Sequence, residues 1–169
     1  MQQNELTKKV ILVIDDTPDN LFLVTNLLKD LYTIKVANNG EKALKFLDET
    51  PVTPDLILLD IMMPVLNGYD VLKKIKENQK LQNIPVVFLT AKSSVEDEKL
   101  GFDLGANDYI TKPISPPILL SRVKTQFENK AISDFLRDKN EFLEKEIEKR
   151  TKDIIAIQNV TIFAMASLA

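Results

Sequence analysis

Three carboxylates, one hydroxyl and one ammonium lie at positions from which they could carry out phosphoryl chemistry. Each lies at or just after the end of an apolar segment: Asp15, Asp16, Asp60, Thr90 and Lys112. Carboxylates brought this close repel one another, and at an effective dielectric near 20 a like-charge pair about 4 Å apart costs roughly 4 kcal/mol. Mg²⁺ relieves such repulsion because it takes carboxylate, carbonyl and water oxygens as ligands.

The same residues could stabilise a phosphoryl group on one carboxylate. The metal ion and Lys112 would neutralise a phosphoryl group brought to Asp60, so that the carboxylate attacks phosphorus. A hydroxyl at Thr90 could then donate a hydrogen bond to the new phosphoryl oxygens. The residue types therefore indicate metal-assisted phosphoryl transfer to an aspartate.

Five strand-like apolar segments must position these residues. Runs this apolar are typical of strands buried on both faces, as in a parallel sheet. Segments with apolar residues at helical spacing alternate with them, which predicts an α/β fold with right-handed crossovers. The predicted strands are Val10–Asp15, Tyr32–Ala37, Asp55–Asp60, Pro85–Ala91 and Asp108–Pro113, and the fifth helix is expected to start near Pro117.

The strand order decides whether the candidate residues meet. The expected sheet has five parallel strands in the flavodoxin-like order 2-1-3-4-5, with helices on both faces and a long C-terminal helix. In this order the first and third strands are neighbours at the topological switch point. Asp15, Asp16 and Asp60 therefore converge at one sheet edge, with Thr90 and Lys112 beside them.

The composition excludes several classes of protein. The chain has 169 residues, of which 44% are apolar and 28% charged, as is typical of a globular protein. A formal net charge of -3 gives no electrostatic reason to expect binding to nucleic acid or to an anionic membrane. With no cysteine and no histidine, disulfides, zinc–thiolate sites and every imidazole mechanism are excluded. The polar residues 1–9 lack the apolar stretch of a signal peptide, and the cysteine-free sequence favours the cytoplasm.

The composition changes after residue 128. Residues 129–153 contain seven basic and seven acidic side chains and neither glycine nor proline. A heptad seam with two polar interruptions begins within this stretch and continues past it. Its members are Leu136, Asn140, Leu143, Ile147, Arg150, Ile154 and Ile157. So narrow a stripe needs a partner helix, so we predict a coiled-coil linker over 129–157 that forms a homodimer. A single solvated helix is the alternative.

The charges beside the seam would attract each other in a parallel pair. In that arrangement Lys139 of one copy would face Glu144 of the other, and Asn140 would help to fix the register at some cost in stability.

The last sixteen residues, 154–169, carry no charge, yet they are interrupted by polar side chains and are short for a membrane span. The pattern ends without a helix stop signal. We therefore expect the natural chain to continue, with 158–169 as the start of an output domain.

The sequence resembles the receiver domain of bacterial two-component response regulators. The matching residues are the pair Asp15-Asp16, the segment 60–64 (DIMMP) followed by Asn67-Gly68, the segment 90–92 (TAK) and the segment 105–113 (GANDYITKP). Any one block alone would be weak, but all four occur in order at matching spacing. The resemblance covers residues 8–128, so we assign 1–128 to a receiver domain. Leu66 stands where many members have methionine, a change that touches no chemistry.

The resemblance implies a phosphoacceptor and a metal site. Asp60 would accept a phosphoryl group from a partner histidine kinase or phosphotransfer protein. Mg²⁺ is the implied cofactor. Asp16, Asp60 and the backbone carbonyl of Met62 would bind it directly, and Asp15 mainly through water.

The resemblance also implies a switch. Lys112 would contact the phosphoryl group, Thr90 and Tyr109 would form the switch pair, and the Lys112–Pro113 peptide is expected to be cis, which proline permits. Phosphorylation would draw Thr90 inward, and Tyr109 would follow. The change would then pass through the fifth helix into the heptad segment.

The output domain is less narrowly indicated. Residues 150–169 resemble the lead-in helix of response regulators with an HD-GYP domain, which hydrolyses cyclic di-GMP. Metal ligands of that domain include several histidines, and this chain has none. The chain itself is therefore expected to be a phosphoacceptor domain and not an enzyme. Similar linkers precede diguanylate cyclase, PAS and kinase domains, and a constitutive dimerisation module is a further alternative.

Two enzyme classes on similar sheets fit the sequence less well. A flavin binder should have a Ser/Thr/Gly-rich loop after the first strand to hold phosphate. Residues 15–20 (DDTPDN) would instead repel phosphate unless a cation intervened. A phosphatase with an aspartate nucleophile commonly has a second aspartate two residues later, where this chain has Met62. A flavin absorbance spectrum and a phosphatase assay would separate these classes.

Overall fold

The computed structural model describes residues 8–91 and 95–166, without the side chains of 95–98, 164 and 165; Lys92 of the TAK segment lies outside the described residues. Strands and helices alternate along the chain, as the sequence predicts. The strands are β1 (Val10–Ile14), β2 (Thr33–Ala37), β3 (Leu56–Asp60), β4 (Val86–Thr90) and β5 (Asp108–Thr111). The helices are α1 (Pro18–Leu28), α2 (Gly40–Glu49), α3 (Gly68–Glu77), α4 (Val95–Asp103) and α5 (Pro116–Ala166).

The five strands form one parallel sheet in the order β2-β1-β3-β4-β5, which confirms the predicted fold. Leu12 in β1 lies opposite Lys35 in β2 on one side and opposite Ile57 in β3 on the other. In the next pair, Asp60 at the end of β3 lies opposite Leu89 in β4. Because the strands are parallel, their carboxyl ends all meet at one edge of the sheet.

Two apolar clusters cover the two faces of this sheet. Successive strand side chains point to opposite faces. Leu12 therefore belongs to the cluster that includes residues of α2 and α3, and Val13 to the cluster that includes residues of α1 and α5. Every residue of β3 is buried. The nearly continuous apolar runs were thus correctly interpreted as strands covered on both faces.

Different devices start the helices next to the site. The side chain of Asn39 accepts a hydrogen bond from the backbone N–H of Lys42 at the start of α2, and Asn67 does the same for Asp70 at the start of α3. These bonds satisfy N–H groups that have no partner within the helix. α1 instead begins with Pro18, which has no N–H to satisfy. All three helices thus start in the loops that follow strand ends.

The chain divides into two compact units between Glu128 and Asn129. The first contains the sheet and the helical segments that pack on it. The second is helical over its described residues, 129–166, and the apolar side chains that the structure describes there are exposed, among them Leu143 at 46% and Ile147 at 63%. The predicted fifth helix and linker helix are one element, α5, which begins at Pro116. No helix among the described residues has the length and apolar content needed to cross a membrane.

Candidate functional site

The carboxyl edge of the sheet brings three carboxylates together. Asp15 and Asp16 directly follow β1, and Asp60 is the last residue of β3. Because β1 and β3 are neighbours, one oxygen from each of the three carboxylates lies within 4.8 Å of the others. Asp15 and Asp60 are buried, at 0% and 3% exposure.

Lys112 lies between two of these carboxylates. Its Nζ is 2.8 Å from Oδ2 of Asp15 and 2.9 Å from Oδ2 of Asp60. The Lys112 backbone N–H donates to the carbonyl of Thr90 at 2.7 Å, which holds the residue at the end of β4. The Lys112–Pro113 peptide is cis, as expected. Lys112 therefore joins the end of β5 to the ends of β1 and β3.

Burial and charge set the acidities of this group. Burial raises the pKa of Asp60, and the negative charge of Asp15 raises it further, against the lowering effect of the Lys112 ammonium and of the Met62 backbone N–H at 3.2 Å. Burial lowers the pKa of Lys112, but its hydrogen bonds to Asp15 and Asp60 outweigh that effect, so the pKa lies above its usual value. Lys112 is consequently an ammonium at neutral pH.

The charges in the cluster fit a divalent cation. Three carboxylates set against one ammonium leave two negative charges uncompensated. All donors are oxygen, which suits Mg²⁺. The Met62 N–H bond to Asp60 places the backbone after β3 against the same carboxylate. The arrangement can therefore hold the metal ion that the sequence predicts, with Asp15, Asp16 and Asp60 as available carboxylates.

The two predicted switch residues lie on neighbouring strands at different depths. Thr90 is the last residue of β4 and is buried. Tyr109 lies opposite Phe88 in β4 and is half-buried. Its ring centroid is 5.5 Å from that of Phe88 and 4.9 Å from that of Phe102 in α4. Thr90 is thus at the carboxyl edge, whereas the ring of Tyr109 packs against α4.

Gly101 in α4 makes room for Tyr109. A methyl group at this position would overlap the phenol oxygen of Tyr109. We therefore expect Gly101→Ala to displace the ring and to destabilise the fold by about 1–3 kcal/mol, as overpacking does. Chemical denaturation measures the loss, and NMR of fluorotyrosine-labelled protein detects the ring's new environment. Adding Tyr109→Phe should recover part of the stability. A double variant no more stable than Gly101→Ala would contradict the explanation.

Several residues at the site have roles that the sequence did not reveal. The side chain of Asn20 lies within hydrogen-bond distance of both oxygens of Asp15, and Thr17 donates its backbone N–H to the same carboxylate. Gly68 was noted only as part of a motif. Its N–H donates to the carbonyl of Ile61, and a Cβ there would overlap the carbonyl oxygen of Asp60. The sequence offered one signal for the contact between Asn20 and Asp15, which is that an asparagine follows soon after the Asp15-Asp16 pair.

Comparisons with known proteins identify the domain family. Residues 11–124 match the response regulator receiver domain family. The chain is 46% identical over all 169 residues to a probable cyclic di-GMP phosphodiesterase of Vibrio cholerae, of which it covers 38%. It is 42% identical over 119 residues to the alkaline phosphatase synthesis transcriptional regulatory protein of Bacillus subtilis, with 70% of this chain and 48% of that protein covered. The BeF3-activated receiver domain of DrrB, a Thermotoga maritima protein, superposes with a TM-score of 0.64 at 37% identity, covering 72% of this chain and 98% of that one.

The chain belongs to the response regulator receiver domain family. Domains of this class are phosphoacceptors of two-component signalling, not enzymes, and they interact with histidine kinases or phosphotransfer proteins. They typically bind Mg²⁺ at an acidic pocket, which agrees with the carboxylate cluster of this chain. The chain spans 38% and 48% of the lengths of the two curated relatives, which is less than half of either.

Proposed function

We propose that Asp60 is the phosphoacceptor of a signalling switch and takes its phosphoryl group from a histidine kinase or a phosphotransfer protein. The observation that carries this proposal is the position of the Lys112 ammonium, 2.8 Å from Asp15 and 2.9 Å from Asp60. Lys112 supplies a fixed positive charge beside Asp60, the buried carboxylate at the end of β3. Asp16, Asp60 and the carbonyl of Met62 would hold Mg²⁺ directly and Asp15 would do so through water, and the bound ion would add to the charge neutralisation.

The chemistry follows from charge and position. An Asp60 carboxylate oxygen attacks phosphorus, the bond from phosphorus to the donor nitrogen breaks, and an acyl phosphate forms on Asp60. Negative charge develops on the phosphoryl oxygens, where Lys112 is already oriented to stabilise it. Because the ammonium and its hydrogen-bond partners are positioned before the reaction, little reorganisation is needed during transfer.

The response is proposed to run through the ends of β4 and β5. The Thr90 hydroxyl would bond to the new phosphoryl oxygens and draw the end of β4 toward Asp60. Lys112 donates its backbone N–H to the Thr90 carbonyl, so β5 is tied to this movement. Tyr109, two residues before the end of β5, would move with it. The two arrangements need differ by only a few kcal/mol for phosphorylation to shift their populations.

The heptad seam of α5 is proposed to pair two copies of the chain. Its apolar members are about half exposed or more, from Leu143 at 46% to Ile157 at 66%. Isoleucine occurs at positions 147 and 154 and leucine at 136 and 143, which correspond to the a and d positions of a parallel two-stranded coiled coil. A parallel dimer covers these side chains and gives the receiver a route to whatever follows.

The output is proposed to be hydrolysis of cyclic di-GMP by an HD-GYP domain beyond this chain. The support is the relative from Vibrio cholerae, named a probable cyclic di-GMP phosphodiesterase, which matches the whole of this sequence including the linker. Phosphorylation at Asp60 would regulate that domain through the dimeric helix. The receiver and the linker would then be the regulatory part of the protein.

Phosphorylation by a small donor tests the central proposal. The purified chain is incubated with acetyl phosphate, with Mg²⁺ and with a chelator, and its intact mass is measured. We expect one phosphoryl group per chain with Mg²⁺, removable by hydroxylamine and mapped by peptide mass to Asp60, and almost none with the chelator. Labelling elsewhere, or labelling independent of Mg²⁺, would contradict the assignment.

A further inference from the structure

The carboxylate of Asp15 is fully buried and unusually well supplied with donors. A buried carboxylate is costly unless hydrogen bonds compensate for the water it has lost. Oδ1 accepts the Thr17 backbone N–H at 2.9 Å, and Oδ2 accepts the Lys112 ammonium at 2.8 Å. The amide nitrogen of Asn20 lies 3.1 Å from Oδ1 and 3.0 Å from Oδ2. Among these donors, Asn20 alone approaches both oxygens.

The orientation of the Asn20 amide follows from its partner. An ionised carboxylate only accepts hydrogen bonds, so the nitrogen of the amide, and not its oxygen, must face Asp15. Asn20 lies in the first turn of α1, just after Thr17, whose side chain makes no capping bond. The amide therefore ties the start of α1 to the end of β1.

We propose that Asn20 is a positioning residue for phosphoryl transfer: it fixes the Asp15 carboxylate, which in turn orients Lys112 toward Asp60. The inference rests on the proposed function of Asp60. The contacts form a chain in which Asn20 donates to Asp15, Asp15 accepts from Lys112, and Lys112 also pairs with Asp60. Within the described part of the chain, the side-chain hydrogen bonds of Asn20 go to Asp15 and not to Asp60.

The donors also divide the work among the carboxylates. A carboxylate has about four lone-pair positions, and Thr17, Asn20 and Lys112 together occupy most of those on Asp15. Asp16 accepts a long 3.4 Å bond from the Thr17 hydroxyl. Direct coordination of a cation therefore falls more easily to Asp16 and Asp60. Asn20 keeps Asp15 committed to Lys112.

The test compares Asn20→Ala with Asn26→Ala. Asn26 lies later in the same helix and accepts a bond from Lys29, away from the carboxylates. At saturating Mg²⁺ we expect Asn20→Ala to slow labelling of Asp60 by acetyl phosphate about tenfold, the effect of losing a hydrogen bond to a charged group, and Asn26→Ala to leave the rate unchanged. Mg²⁺ affinity, measured by calorimetry, should change less than the rate.

Two further variants separate positioning from a general structural role. In an Asp15→Asn background, Asn20→Ala should alter the rate by less than about twofold, because the residue through which it acts is already changed. Asn20→Asp keeps the size of the side chain but puts a carboxylate against Asp15, so Mg²⁺ should raise its melting temperature more than it does for wild type. This second measurement remains available if Asn20→Ala folds poorly.

The outcomes distinguish the inference from the proposed function. If wild type is not labelled at Asp60, the proposed function fails. If wild type is labelled and Asn20→Ala matches its rate, or if Asn20→Ala slows the Asp15→Asn background as much as it slows wild type, the positioning role of Asn20 is overturned. An ordinary Mg²⁺ response in Asn20→Asp would likewise count against it.

Discussion

Asp60→Asn is expected to take up no phosphoryl group from acetyl phosphate under conditions that label the wild-type chain fully. An amide oxygen is a far weaker nucleophile than a carboxylate oxygen, and the change also removes one charge from the proposed metal site. The side chain keeps its shape, so the buried end of β3 should stay packed. Intact-mass measurement with and without Mg²⁺ gives the result directly.

Folding and labelling must be separated in that experiment. Burial raises the pKa of Asp60, which means that the fold disfavours its charge, so the neutral amide should be tolerated in the absence of metal. Lys112 retains its 2.8 Å pair with Asp15. Asp70→Asn is the matched control, because Asp70 is an exposed carboxylate in the first turn of α3. Full labelling of this control and none of Asp60→Asn is the expected pair; labelling of both would remove Asp60 as the acceptor.

The fold was predictable because its strands are marked by burial on both faces. β1 and β3 are apolar along nearly their whole lengths, and the structure buries all of β3. Strand ends were less predictable. Asp15 was assigned to the first strand and Pro113 to the fifth, yet β1 ends at Ile14 and β5 at Thr111. Hydrogen-bond pairing between strands ends where the backbone turns into the following loop. The pattern of apolar residues does not indicate where that turn begins.

The candidate site was predictable to the extent that it depends on strand order. Once the first and third strands are neighbours, Asp15 and Asp60 must converge, and the structure brings Lys112 between them. The contacts of Asn20 and the fit of Tyr109 over Gly101 were not predictable. The first depends on how the loop after β1 leads into α1, and the second on how closely the Tyr109 ring approaches the backbone of α4. The spacing of residues in the sequence predicts neither.

Leu143→Ser with Ile147→Ser is expected to convert a dimer of this chain into a monomer. Light scattering over a concentration series measures the mass, with Mg²⁺ alone and with Mg²⁺ plus beryllofluoride, which mimics the phosphoryl group on Asp60. Two side chains are lost from each copy. Burial of each aliphatic side chain contributes about 1.5–3 kcal/mol, so the free energy of association of the dimer is weakened by roughly 6–12 kcal/mol. This raises the dissociation constant more than about ten-thousandfold.

The control for this variant is Ile155→Ser with Ile162→Ser. These isoleucines are exposed at 50% and 65%, lie seven residues apart on the same helix and fall outside the 4-3 spacing of the seam. The two substitutions remove about as much apolar area from the helix as Leu143→Ser with Ile147→Ser does. A similar fall in molar mass for both double variants would therefore mean that association does not use the predicted seam.

A wild-type chain that stays monomeric in both conditions would contradict the dimer altogether. Dimers of wild type in both conditions would place the effect of phosphorylation inside a standing dimer, whereas dimers only with beryllofluoride would make association itself the signal.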